Sequence, residues 1–240
     1  MNFSIDQWNA WAPGLDSADA WADWCASPQP IVDDEQQQPA VSFLPAMQRR
    51  RLSRLARMVC HIAWPLAESY PALPLVFASR HGETPRTLEL IQELARGEAL
   101  SPTQFSLSVH NAIIGLWSIL RGDSSEMTAM AAEGDGLEQA MLEATGLLAE
   151  GAPAVLLVIA EETPPALYRP YIDDVPFSYA LALLLKPGDQ WSLQLEPGND
   201  TPSVSQWPHA INLLRALHGR QSRLEHHWKH RKWVWSCSKG

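Results

Sequence analysis

The chain has 240 residues, 46% hydrophobic and 19% charged, which supplies a core for one sizeable domain and excludes global disorder. Its formal charge of −9 argues against bulk binding to nucleic acid or an anionic membrane, and its longest apolar run, from Ala152 to near Glu161, falls short of the ~20 residues that cross a bilayer. Met1 to Asp6 lacks the basic and apolar regions of a signal peptide, and Cys25, Cys60 and Cys237 match neither a disulfide framework nor a zinc pattern, so a cytoplasmic protein with ordinary thiols is expected.

In chain order, apolar and polar residues alternate from Phe3 through Trp8 and break at Pro13-Gly14, the pattern of an opening strand and turn. A loop follows, and residues 27–39, rich in Pro, Asp and Gln, read as a mobile surface segment. From Pro45 to Tyr70, Met47, Leu52, Leu55, Met58, Val59 and Ile62 recur at helical spacing opposite a row of arginines, with Pro65 placed to bend or end the helix. Leu73 to Ser79 reads as a buried strand. Thr84-Pro85 then opens a helix with Leu88, Ile91 and Leu94 on its apolar face, and a third helix is expected from Ser108 to Arg121. Met127 to Ala132 reads as a short strand, Glu133-Gly134-Asp135-Gly136 as a turn, Leu137 to Glu150 as a helix and Val155 to Ala160 as a strand. Ser178 to Leu185 and Trp191 to Glu196, on either side of Lys186-Pro187-Gly188-Asp189, read as a hairpin. A helix over Gln206 to Leu217 and a basic, Trp- and His-rich tail over 219–240 close the chain. This alternation predicts a single α/β domain over residues 1–240, its sheet covered on both faces.

Basic residues cluster at Arg49, Arg50, Arg51, Arg54 and Arg57, and again from Arg215 through Arg220, Arg223, Lys229, Arg231 and Lys232 to Lys239. Each cluster reads as a solvated helix face or as a docking surface for an acidic partner. His226, His227 and His230 have no carboxylate or cysteine spaced to complete a metal site, so neither metal nor cofactor is expected. Tryptophans crowd both ends of the chain, at Trp8, Trp11, Trp21 and Trp24 and at Trp228, Trp233 and Trp235; they read mostly as packing, and as weak evidence for a partner surface.

Phosphate-binding glycine loops are absent from the sequence, and so is a G-x-S-x-G nucleophile elbow. The turn at 133–136 is the most chemical feature, since the start of a helix favours a nucleophile or an anion. Only carboxylates are available there. Asp135 suits an N-cap, and His110-Asn111 suits a buried, hydrogen-bonded pair.

Several segments together resemble the N-terminal half of β-ketoacyl synthases, which have the thiolase-like fold. They are WNAWAPGL at 8–15, SRHGETPRTLELIQEL at 79–94, SPTQFSLSVHNAIIGLWSI at 101–119, EGDGLEQAMLEA at 133–144 and APAVLLVIAEE at 152–162, with SPTQF and SVHNA the most specific. The resemblance implies a thiolase-like half-fold, a mixed sheet with helices on both faces. It also implies a cysteine at the start of the helix after the 127–132 strand, where the chain has Glu133 or Gly134, and histidines in a C-terminal half that this length has no room for.

A ketosynthase-like chain without that cysteine resembles a chain length factor, the inactive subunit that pairs with an active ketosynthase, and in its shortness the small subunits of aryl polyene clusters. The resemblance implies a heterodimer with an active β-ketoacyl synthase, working on chains carried by an acyl carrier protein. Candidates for the tunnel wall or interface are Met127, Met130, Glu133, Asp135, Phe105, His110 and Asn111; for carrier docking they are Arg49, Arg50 and Arg54. The rival expectations are a decarboxylase or an acyl-binding protein that uses the Glu133/Asp135 turn, with His110 as acid and base partner.

Overall fold

All of β4 (Val155–Glu161) is buried, and its uninterrupted apolar run shows that both of its faces are covered. Val155, Leu157 and Ile159 enter one core while Leu156, Val158 and Ala160 enter the other. Strand β2 (Leu75–Ala78) runs parallel to β4, and β3 (Met127–Met130) runs parallel to β2 and ends the sheet. The crossovers between these strands carry α4 (Thr84–Ala95), α5 (Pro102–Ser108), α6 (Ala112–Arg121) and α7 (Gly136–Ala149). On the other side of β4 the sheet turns antiparallel. There β5 (Tyr179–Pro197) pairs with β4 and with β1 (Asn2–Trp11) along its first half and with β7 (Arg231–Cys237) along its second, and β6 (Arg223–Trp228) pairs with β7. The seven strands thus form a mixed sheet in the order β3-β2-β4-β5-β7-β6, with β1 added on β5. One face packs against α1 (Ala18–Ala26), α7 and α8 (His209–His218), the other against α3 (Arg54–Ala67) and α6, as expected of an α/β fold covered on both faces. The computed structural model describes residues 1–34, 36–198 and 205–238, so Lys239 of the basic tail lies outside the described residues.

Several expectations change. The helix expected over 45–70 is two, α2 (Ala46–Arg49) and α3, because Ser53 accepts the Ala56 N–H at 3.0 Å and caps a new start. Pro65 does not end α3 early; the helix runs on to Ala67. The third helix, expected from Ser108, starts at Ala112 as α6, and the short helix α5 lies ahead of it, with His110 between the two. On α4, Leu88 and Leu90 are buried while Ile91 and Leu94 are 51% and 63% exposed, so part of the face read as core is surface. Helix α1 stands where the sequence predicts a loop. Its cap is Ser17, and Trp21 and Trp24 drive it into the core, Trp24 meeting Trp207 edge-on at 5.1 Å.

The expected hairpin around 186–189 is one strand. Ser4 pairs with Lys186 and Phe3 with Trp191, so residues 187–190 bulge out of the ladder while β5 continues. The tail is itself a hairpin, β6 and β7, and Trp233 and Trp235 are fully buried in the core. With Trp11, Trp21 and Trp24 also buried, most of the clustered tryptophans serve packing, while Trp8 and Trp228 are half-buried. Residues 27–34 and 36–39 form no helix or strand, yet Asp33 fixes this segment by an ion pair to Arg54 at 2.7 Å and by accepting from Thr163 Oγ1 and Ser178 Oγ, each at 2.6 Å.

Candidate functional site

Strands β2, β3 and β4 are parallel, so their carboxyl ends and the N-termini of α4 and α7 share one side of the sheet, where α/β folds place their sites. A cavity of about 270 Å³ opens there, between the ends of β2 and β4 and the turn after β3, with Trp207, His209, His226 and Trp228 as its opposite wall.

The segment after β2 wraps around Glu161 at the end of β4. Ser79 Oγ donates to Glu161 Oε2 at 3.1 Å, the His81 N–H donates to the same oxygen at 3.3 Å, and the Arg80 N–H donates to Oε1. Burial still prevails and pushes this carboxyl up to about 7. The Arg80 and His81 side chains turn outward to Asp174, at 2.7 and 3.1 Å. Gly82, at φ +51°, lies under the His110 ring, where an added Cβ would come within 2.9 Å of it. His110 Nε2 is bonded to the Ser79 carbonyl at 2.7 Å, so this histidine braces the loop after β2.

The turn after β3 is occupied by the chain's own C-terminal hairpin. Glu133 accepts from Trp228 Nε1 at 3.2 Å and pairs with Lys229, whose hydrogen bond lowers the carboxyl below its usual range. Asp135 is 1% exposed. It sits at the N-cap position of α7 but caps nothing with its side chain. Its oxygens instead take a two-pronged bond from Arg231, at 2.7 and 3.0 Å, and a third from Trp233 Nε1 at 2.9 Å. Between the two carboxylates, Gly134 lies against the Trp228 ring so closely that a Cβ there would overlap it. The hairpin reaches this turn because Lys229 takes φ +52° in the two-residue link between Trp228 and Arg231.

One turn further along α7, fully buried Glu138 faces two histidines, His209 Nδ1 at 2.5 Å and His226 Nδ1 at 3.1 Å. Sequence spacing provides no carboxylate to complete a site with His226, yet folding brings one from 88 residues away. Burial opposes the Glu138 charge, but the histidines outweigh it and hold the carboxyl down at about 2. Burial also drives the His209 imidazole toward its neutral form.

The other candidates scatter. Met127 and Met130 are half-buried on β3, with Phe105 and Asn111 exposed on the α5–α6 side. Arg49 folds back onto the Leu44 carbonyl at 3.1 Å, and Arg50 is exposed. Arg54 is 8% exposed and committed to Asp33 and Ser178, so it is not a docking residue. Trp228, Lys229, Arg231 and Glu161 were missed; the only signal for the first three was that acidic turn and basic tail are complementary in charge.

The family described as β-ketoacyl synthase, N-terminal domain, matches residues 21–236. The chain belongs to that family. A chain in the complex of the ketosynthase ApeO with its chain length factor ApeC from Xenorhabdus doucetiae superposes on this ketosynthase-like chain with a TM-score of 0.87 at 29% identity, over 98% of this chain and 99% of that one. The ishigamide ketosynthase/chain length factor gives 0.61 at 14% identity over 84% and 69% of the two chains. A chain of the AntDE:AntF complex, a type II polyketide ketosynthase with its acyl carrier protein, gives 0.65 at 11% over 98% and 99%. These last two show the shared fold alone. Among curated proteins no sequence matches. No helix among the described residues is long and apolar enough to cross a membrane.

Proposed function

We propose that this chain is a noncatalytic, ketosynthase-like chain length factor that pairs with an active β-ketoacyl synthase and bounds its acyl tunnel while an aryl polyene, fatty acyl or polyketide chain grows on an acyl carrier protein. The observation that carries the reading is the filled turn after β3. Condensation on this fold needs a thiolate at the start of that helix; the chain has Glu133-Gly134-Asp135 there, with Trp228 packed on the glycine. Cys60 is buried, with its thiol pushed up to about 12, and Cys25 is raised by burial as well. Neither carboxylate of the turn is free to act as a base, since Lys229 holds Glu133 and Arg231 holds Asp135, which disfavours the decarboxylase reading.

The opposite end of the sheet supports pairing. β3 is an edge strand, half-buried throughout, flanked by exposed Ile119 on α6 and Leu142 on α7. An uncovered apolar edge of this kind invites a partner strand. Met127 and Met130 would then stand at the joint, as adaptable bulk that sets the room for the acyl chain. The likeness to a chain of the ApeO–ApeC complex, nearly end to end in both, adds to this reading. Arg50 and Arg51 are the exposed arginines left to attract an acidic carrier protein.

The test is production of the chain with and without the ketosynthase encoded beside it, followed by size-exclusion chromatography with mass determination. A one-to-one complex with a ketosynthase, and poor solubility without one, are the expected results. A stable monomer that ignores every ketosynthase offered would end the proposal.

A further inference from the structure

Glu138 lies in the first turn of α7, His209 opens α8 and His226 stands on β6, so three elements remote in sequence meet at one buried point. One ligand atom from each lies within 4.8 Å of the others. The two imidazoles stack with centroids 3.6 Å apart and planes 11° from parallel. His209 is 8% exposed, and neither ring nitrogen has a hydrogen-bond partner among the described residues: Nδ1 is close to Glu138 Oε1 but not aligned to bond it, and Nε2 meets no acceptor. A carboxylate sealed from water needs positive charge beside it, and a buried imidazole nitrogen without a hydrogen-bond partner needs some other group to bind. A divalent cation that takes one nitrogen of each ring and an oxygen of Glu138 supplies both.

We propose that Glu138, His209 and His226 bind a transition-metal ion of the zinc class, which fastens α8 and the C-terminal hairpin to α7 behind the 133–136 turn. Two imidazoles and a carboxylate are a ligand set suited to zinc, whereas calcium and magnesium favour oxygens alone. His209 and His226 also line the cavity, so a water molecule can reach a fourth position from there. Trp235 Nε1 donates to Glu138 Oε1 at 2.9 Å and orients the carboxylate from behind. Binding opens the ring stack, because each imidazole turns its lone pair toward a common point. The inference needs only the fold of this chain and does not rest on the subunit reading.

The test uses the full chain, alone or in complex with a ketosynthase, stripped with EDTA, dialysed and titrated with zinc chloride. Metal is counted by mass spectrometry and Tm followed by scanning fluorimetry. The expected result is about one zinc per chain, with a rise in Tm that EDTA reverses. Glu138→Gln should weaken zinc binding about 100-fold or more and abolish the Tm shift. Should that buried substitution prevent folding, His226→Gln, at a half-buried position, carries the same test. A Tm indifferent to both zinc and EDTA, with no metal bound, overturns the site. Full zinc occupancy retained in the folded variants overturns it too, since the metal then sits elsewhere, on residues such as His227 and His230.

Discussion

The two ends of the sheet are finished in opposite ways. At the β6–β7 end the chain closes on itself: Trp228, Lys229, Arg231, Trp233 and Trp235 each bond a carboxylate of the turn after β3 or of the helix behind it. At the β3 end no strand among the described residues pairs with the outer edge of β3, and apolar residues nearby are exposed, with Ile119 at 77% and Leu142 at 43%. Polar groups taken out of water must be paired, and here the hairpin does the pairing. Apolar groups left in water raise the free energy of the lone chain, and that cost is relieved only by a partner. The contrast divides the molecule into a side that has been sealed and a side prepared for association.

The largest effect should come from the open side. Replacing Ile119 and Met130 together with aspartate places charge on the exposed helix face and on the edge strand. Affinity for the co-produced ketosynthase should fall about 1,000-fold, roughly 4 kcal/mol, while far-UV circular dichroism of the chain stays unchanged. Undiminished binding by this variant would move the interface elsewhere and dissolve the contrast.

On the sealed side the next effect is a pH dependence. Burial raises the Glu161 carboxyl from 4.5 to about 7, so the folded chain holds this proton more tightly than the unfolded chain does. The associated stability is complete below the unfolded value and is lost as pH rises through the folded one, amounting to about 3 kcal/mol. Burial raises neighbouring Glu162 to about 7 as well, so denaturant titrations at about pH 5 and pH 8 should show a fall from both groups, and Glu161→Gln should reduce it by about half. Equal slopes for the two proteins would mean that Glu161 is ionised in the fold without penalty.

Removing the Arg231 guanidinium comes next. Asp135 is buried, and without its two-pronged partner it keeps the Trp233 bond and a longer one from Gln139 Nε2 at 3.2 Å, both neutral donors. Arg231→Ala should cost about 2–3 kcal/mol of unfolding free energy, read from urea midpoints, and should loosen the hairpin to proteolysis. A loss no larger than that of a surface alanine substitution would show that the hairpin is held by its tryptophans alone.

How much of this was legible depends on the range of the interaction. The turn at Glu133 to Gly136 and the strands on either side of α7 were readable, because apolar runs, glycines and local periodicity are short-range signals. Residues 186–189 misled, since Lys-Pro-Gly-Asp serves a bulge as well as a hairpin loop, and the choice was made by Phe3 and Ser4, which pair across the gap from the other end of the chain. Arg54 misled for a related reason: it stands in a row of arginines, yet its partner Asp33 lies in a segment without periodicity, so its burial left no trace in the local pattern. The Glu138, His209 and His226 cluster was invisible because each residue comes from a different element. That the turn at 133–136 carries carboxylates and glycines could be read directly, but its occupation by Trp228 could not.

That occupation gives the smallest effect and the sharpest test of closure. Gly134→Cys places a thiol near the start of α7, and its Cβ must displace the Trp228 ring, at about 1–2 kcal/mol. If the hairpin holds, the added thiol reacts with iodoacetamide in the folded chain about 10-fold more slowly than in the unfolded one, since access limits a thiol as much as its ionisation does. Adding Trp228→Ala should then release the reaction, because the ring is both the lid and the donor that ties Glu133 to the hairpin. Fast labelling in the single variant would show that the turn is open on its own and that the hairpin rests on it without sealing it. Slow labelling that persists in the double variant would place the seal in Arg231 and Asp135 instead, deeper than the tryptophan and closer to the helix.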